Sequence, residues 1–89
     1  MAMTNKKEAL QSDRRKRFRR ALGARIVGLR QTRSWSQFDL ADRLEISRDR
    51  LAKWEAGCHV PPADILLDLS DILEVSIDEL LKGRKPSAK

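Results

Sequence analysis

Apolar residues recur at helical spacing along most of this chain. Phe18, Leu22, Ile26 and Leu29 follow one another at intervals of four, four and three, which predicts a first helix ending between Gln31 and Arg33. Residues 1–12 show no sustained period and read as flexible, although Ser12 offers a cap for an earlier start. Ser36 followed by Asp39 has the spacing of a capping box and precedes Leu40, Ala41 and Leu44. Ser47 is a second cap, three residues after Leu44, and it opens a helix with Leu51 and Trp54 inside and Gly57 as its stop. Pro62 suits the first turn of a fourth helix, whose Ile65, Leu66, Leu69, Ile72 and Leu73 fall on one face. Ser76 caps a last short helix from Ile77 to Leu81 or Lys82, and Gly83 ends it. No stretch of four or more residues alternates convincingly, so the expected fold is all-α without strands.

A short helix, a turn confined to Glu45-Ile46-Ser47 and another short helix form a helix-turn-helix arrangement. On a wheel, Leu51, Trp54 and Glu55 share the inner side of the third helix. Asp49, Ala52, Lys53 and Ala56 point the other way, flanked by Arg48 and Arg50. Such a helix fits a DNA major groove, about 12 Å wide. Arg48 and Lys53 can donate to guanine O6 and N7, and Ser47 can bond a base or a phosphate. Asp49 either accepts from a cytosine amine or holds Arg50 or Lys53 by a surface pair. Gln37 is either a phosphate contact beside free helix N–H groups or an exposed helix-start residue.

The charge distribution supports a polyanionic partner. The net charge is +6 over 89 residues. Residues 1–33 hold 11 Lys/Arg against Glu8 and Asp13, while the rest of the chain is slightly acidic. The run "RRKRFRR" (14–20), with Arg14, Arg15, Lys16 and Arg17 at its head, is either a solvated, self-repelling tail or an arm that lies along a polyanion. An acidic membrane surface fits less well, because the amphipathic segments are short and their polar faces carry both signs. The chain has no apolar run long enough to span a membrane, and its single cysteine suits a reducing, cytoplasmic setting.

These residues together resemble the phage repressor and Cro class of helix-turn-helix domains, the XRE type. The resemblance covers roughly Leu22 to Gly83. It rests on Leu-Arg at 29–30, Ser-Gln at 36–37, Leu-Ala at 40–41, Ile-Ser at 46–47, Trp-Glu-x-Gly at 54–57 and Val-Ser-x-x-x-Leu at 75–80. It implies a compact five-helix bundle, similar to the lambda repressor DNA-binding domain, that binds operator DNA as a two-fold dimer. The chain itself reads as a basic flexible N-terminal arm (1–17), the DNA-binding domain (18–83) and a C-terminal tail (84–89). The resemblance further implies base contacts by Ser47, Arg48, Asp49 and Lys53. Phosphate contacts fall to Ser36, Gln37, Arg50, Gly57 and His59, and Arg30 and Glu55 form a structural ion pair.

The sequence departs from that class in four places, one being the basic segment before Leu22, which is longer than the family minimum. Glu45 and Ser34 stand where glycine is common, and Trp35 replaces a smaller apolar residue as either a core plug or an exposed contact. Cys58-His59 lacks the further ligands of a tetrahedral metal site within one chain, so no metal or cofactor is expected. The sequence contains no acid–base constellation or Gly-rich phosphate loop, and an enzyme is not expected. Leu67, and Ile65, Ile72 or Ile77 at the edge of the fourth helix, are either homodimer contacts or ordinary core and surface residues. The expected function is a repressor or operon controller that binds a palindromic operator in double-stranded DNA. The competing reading is an antitoxin-type component with a toxin partner that also binds DNA.

Overall fold

The helical stripes resolve into five helices in a computed structural model, which describes the backbone of residues 6–83 and the side chains of residues 10–83. They are α1 (Lys6–Thr32), α2 (Gln37–Leu44), α3 (Arg48–Glu55), α4 (Ala63–Leu73) and α5 (Ile77–Lys82). No strand occurs among the described residues. The C-terminal tail expected at 84–89 lies outside them.

The segment expected to be a flexible arm is helix from Lys6 onward. Lys, Glu, Ala, Leu, Gln and Arg are strong helix formers, and α1 meets no glycine until Gly23 and no proline at all. Once its packed half is formed, each further residue adds a hydrogen bond without a new nucleation cost. The result is a rod. Residues 6–18 make about 20 Å of helix at 1.5 Å per residue, ahead of Arg19, whose Nε donates to Gly57 O. Phe18, expected at the head of the buried stripe, is 38% exposed for the same reason, because the stripe starts only at Leu22.

The core is built from Leu22 and Ile26 of α1, Leu40, Ala41 and Leu44 of α2, Leu51 and Trp54 of α3, Ile65, Leu69 and Leu73 of α4 and Leu80 of α5. Ile65 therefore belongs to the core and is withdrawn as a dimer contact, whereas Leu67 is exposed. Pro62 is the N-cap of α4, one residue before the helix, and not its first residue. Its carbonyl accepts from the Leu66 N–H at 2.9 Å.

Helix α1 organises the bundle. On one face, Gly23 lies against the end of α3. A Cβ there would sit 2.5 Å from the carbonyl oxygens of both Trp54 and Glu55. Only glycine permits that approach. Elsewhere, Arg25 on α1 and Arg33 in the turn just after it cap the free carbonyls that end two further helices. Arg25 donates to Leu80 O and Leu81 O of α5 at 3.1 and 3.0 Å, and Arg33 donates to Leu73 O of α4 at 3.1 Å. Cations at helix C-termini also meet the negative end of the helix dipole.

Candidate nucleic-acid interface

The turn between α2 and α3 is set by local chemistry. Ser36 Oγ accepts from the Asp39 N–H at 3.0 Å, and an Asp39 carboxylate oxygen accepts from the Ser36 N–H at 2.9 Å. The Ser36 backbone N–H, followed by its hydroxyl, holds the Asp39 carboxyl below its ordinary value. At the other end of α2, Glu45 is left-handed, with φ 58° and ψ 43°. Its geometry reverses the chain so that the Ile46 N–H reaches Ala41 O at 3.0 Å. Ser47 then caps α3, its Oγ accepting from the Arg50 N–H at 3.2 Å.

Leu51 and Trp54 anchor the inner side of α3. The opposite side carries exposed Asp49, Arg50, Lys53 and Ala56, with Ala52 half-buried between them. Small alanines beside long cations let this face approach a ligand closely. Ser47 is exposed at the leading end of the same helix, and Gly57, Cys58 and His59 form the loop that leaves its trailing end. Gly57 has φ 80° and packs on the backbone of Arg20; Arg19 Nε donates to Gly57 O at 3.3 Å. The basic rod of α1 therefore emerges beside the end of α3, with Arg14, Arg15, Lys16 and Arg17 all exposed.

A partly buried network joins the two short helices to α1. Arg30 donates from Nε to Glu55 Oε2 at 2.8 Å and from Nη2 to Oε1 at 3.0 Å, a bidentate pair with side chains 11% and 4% exposed. Arg30 Nη1 also donates to Trp35 O at 2.9 Å. Glu55 Oε1 accepts a third bond, from Gln37 Nε2 at 2.8 Å. Gln37 Oε1 in turn accepts from Arg48 Nη1 at 3.2 Å. No buried side-chain polar atom is left without a partner among the described residues. The chain Arg30–Glu55–Gln37–Arg48 thus fixes the position of α3 and the direction of one of its outward cations.

Several sequence expectations change here. Asp49 pairs with Arg48, at 3.2 Å, and with neither Arg50 nor Lys53. The neighbour is close enough at i, i+1 because Arg48 already leans toward α2 to reach Gln37. Gln37 is half-buried with both ends of its amide engaged, so it is not a free helix-start side chain. Arg50 lies with its guanidinium 5.1 Å from the Trp54 ring centre. Trp35 is half-buried against the core, with the Arg43 guanidinium stacked over it at 4.1 Å. Phe38, at the outer start of α2, was not anticipated. Periodicity finds buried residues, and Phe38 is 68% exposed.

No three His, Cys, Asp or Glu side chains converge as a metal site among the described residues, and Cys58 and His59 are both exposed. No helix among those residues is long and apolar enough to cross a membrane.

Residues 23–85 match the helix-turn-helix domain family. The chain is 39% identical over 61 residues to the HTH-type transcriptional activator BcrR of Enterococcus faecalis, a match covering 68% of this chain and 30% of BcrR. It is 36% identical over 63 residues to YazB of Bacillus subtilis, an HTH-type transcriptional regulator, covering 71% of this chain and 91% of YazB. It is 36% identical over 56 residues to RstR, the cryptic phage CTXphi transcriptional repressor of Vibrio cholerae, covering 63% of this chain and 50% of RstR. Several relatives are longer, this chain spanning 30% to 56% of their length.

Proposed function

Because the chain belongs to the XRE-type helix-turn-helix family of DNA-binding transcriptional regulators, which are not enzymes, we propose that it is a repressor or operon controller that binds a palindromic operator as a homodimer. The observation that carries this reading is the outer face of α3. Cations and one acceptor project there from a helix clamped from behind by the Arg30–Glu55 pair. Arg48 and Lys53 donate to guanine edges, Asp49 discriminates among bases while orienting Arg48, and Ser47 contacts a base at the leading end. A carboxylate on a DNA-facing surface costs affinity, so it favours selectivity over general stickiness. Ser36, Gln37, Arg50, Gly57 and His59 line the phosphates on either side, and Arg14, Arg15, Lys16 and Arg17 extend the backbone contact along the rod.

The experiment is selection of duplexes from a random pool, followed by titration of variants. The expected product is an inverted repeat with half-site centres about 34–36 Å apart, one helical turn. A dimer that neutralises about six to ten phosphates gives log K against log salt a slope of about −5 to −9. Lys53→Ala relaxes base preference, while Arg15→Ala weakens all duplexes alike and reduces the slope by about two, one for each subunit of the dimer. Recovery of unrelated sequences, or the opposite pattern in the two variants, overturns the proposal.

A further inference from the structure

An isolated exposed phenylalanine is ordinary on a protein surface. Phe38 is not isolated. Among the described residues it is the most exposed of the large apolar side chains, and the Arg48 guanidinium lies over its ring at 5.2 Å from the centre. That places the ring on the open side of the helix pair, beneath the cation assigned to guanine. The same guanidinium is held at two edges, by Gln37 Oε1 on Nη1 and by Asp49 Oδ1 on Nη2, each at 3.2 Å. Two edge contacts fix the plane of the group incompletely, since they still allow it to tilt. A ring against one face removes that freedom. Arginine has five N–H donors in a rigid fork, so two bonds within the protein leave donors for a base edge.

We propose that Phe38 is a positioning residue for base selection: its ring sets the orientation of Arg48 and so sharpens the guanine preference of the interface. This rests on the reading of α3 as the base-contacting helix. The arrangement spans the turn, with the ring on α2 and the cation on α3, so the preference depends on a residue outside the recognition helix. A cation–π contact at an exposed site accounts for about a two- to fivefold effect.

The test uses the whole chain and pairs of duplexes that differ only at the guanine whose preference Arg48→Ala lowers without abolishing. Phe38→Ala is expected to lower the guanine-over-adenine preference about two- to fivefold. Phe38→Tyr, which retains the ring, restores it. In the Arg48→Ala background, Phe38→Ala causes no further loss. The melting temperature and the salt slope stay near those of the parent, because the ring is exposed and carries no charge. The proposal is overturned if Phe38→Ala keeps the full preference, or if its effect is undiminished when Arg48 is already absent. Should Arg48→Ala leave every base preference intact, the base-reading role of Arg48 is what fails, and the Phe38 proposal falls with it.

Discussion

Gly23 and Gly28 lie five residues apart on α1, and replacing each by alanine should move stability in opposite directions. Alanine in a helix interior is favoured over glycine by about 0.8–1.0 kcal/mol. At Gly28 nothing lies within 4 Å of the added Cβ, so the full gain is expected. At Gly23 the Cβ would stand 2.5 Å from two carbonyl oxygens, Trp54 O and Glu55 O, where ordinary contact begins near 3.4 Å. These are backbone atoms, so the end of α3 must recede by about 0.9 Å. Overpacking of this kind costs about 1–3 kcal/mol. Net of the helix gain, Gly23→Ala is destabilising by about 0–2 kcal/mol. For a domain of this size each kcal/mol shifts the melting temperature by about 4–8 °C. Thermal unfolding followed by circular dichroism should therefore rank Gly28→Ala above the parent and Gly23→Ala at or below it. Glu55 lies at the displaced end of α3, so Gly23→Ala should also weaken DNA binding at temperatures where the variant is fully folded. A Gly23→Ala protein that melts as high as Gly28→Ala would refute the close approach of α1 to α3.

Glu45→Gly removes a left-handed strain of about 1–2 kcal/mol and should raise the melting temperature, the gain being reduced by the greater freedom of glycine in the unfolded chain. Glu55→Gln leaves Arg30 buried without its charge partner and should cost about 3–5 kcal/mol in chemical denaturation; a double variant that also replaces Arg30 with methionine should recover much of that loss. Asp39 titrates lower in the folded than in the unfolded chain, so its capping contribution is complete above its ordinary value of 3.8 and is lost as pH falls through the depressed folded value. The difference in melting temperature between the parent and Asp39→Ala should accordingly be present at pH 7 and shrink in strong acid.

The parts of the fold that were legible in the sequence are those decided within a few residues. Ser36, Ser47 and Ser76 each cap a helix through their own side chains, and Gly83 ends α5 in the left-handed region, because a cap needs only its neighbours. The inward direction of Glu55 was legible too, since Leu51 and Trp54 define the inner face of so short a helix. What escaped depends on distant chain. Arg25 and Arg33 read as part of a basic block, yet they cap helices 40 or more residues away, and no local pattern marks them. Glu74, left-handed at φ 56°, ends α4 where a glycine would signal the stop, so the sequence carried no such signal there. Gly23 did carry one, a glycine within a helical pattern, but only the partner helix reveals what it admits. Phe18 continued the apolar period beyond the bundle that could have buried it.

The concentration of positive charge in the first third of the chain is therefore two features superimposed on one helix. Arg19, Arg25, Arg30 and Arg33 turn their guanidinium groups onto carbonyls or a carboxylate of the elements packed against α1. Their bonds tie the bundle together and turn these groups toward the protein. Arg14, Arg15, Lys16 and Arg17, on the rod before the bundle, remain open to solvent. Net charge counts both sets equally, whereas counterion release counts only charges that meet phosphate. The same helix that staples the end of α5 through Arg25, and leads into the turn whose Arg33 holds the end of α4, also receives the end of α3 at Gly23 and fixes Glu55. The orientation of the recognition face and the direction of the basic rod are thus set by one rigid element. Under the proposed function, a change that tilts α1 against α3 is expected to alter base contacts and backbone contacts together, which neither the charge pattern nor the wheel of α3 alone would imply.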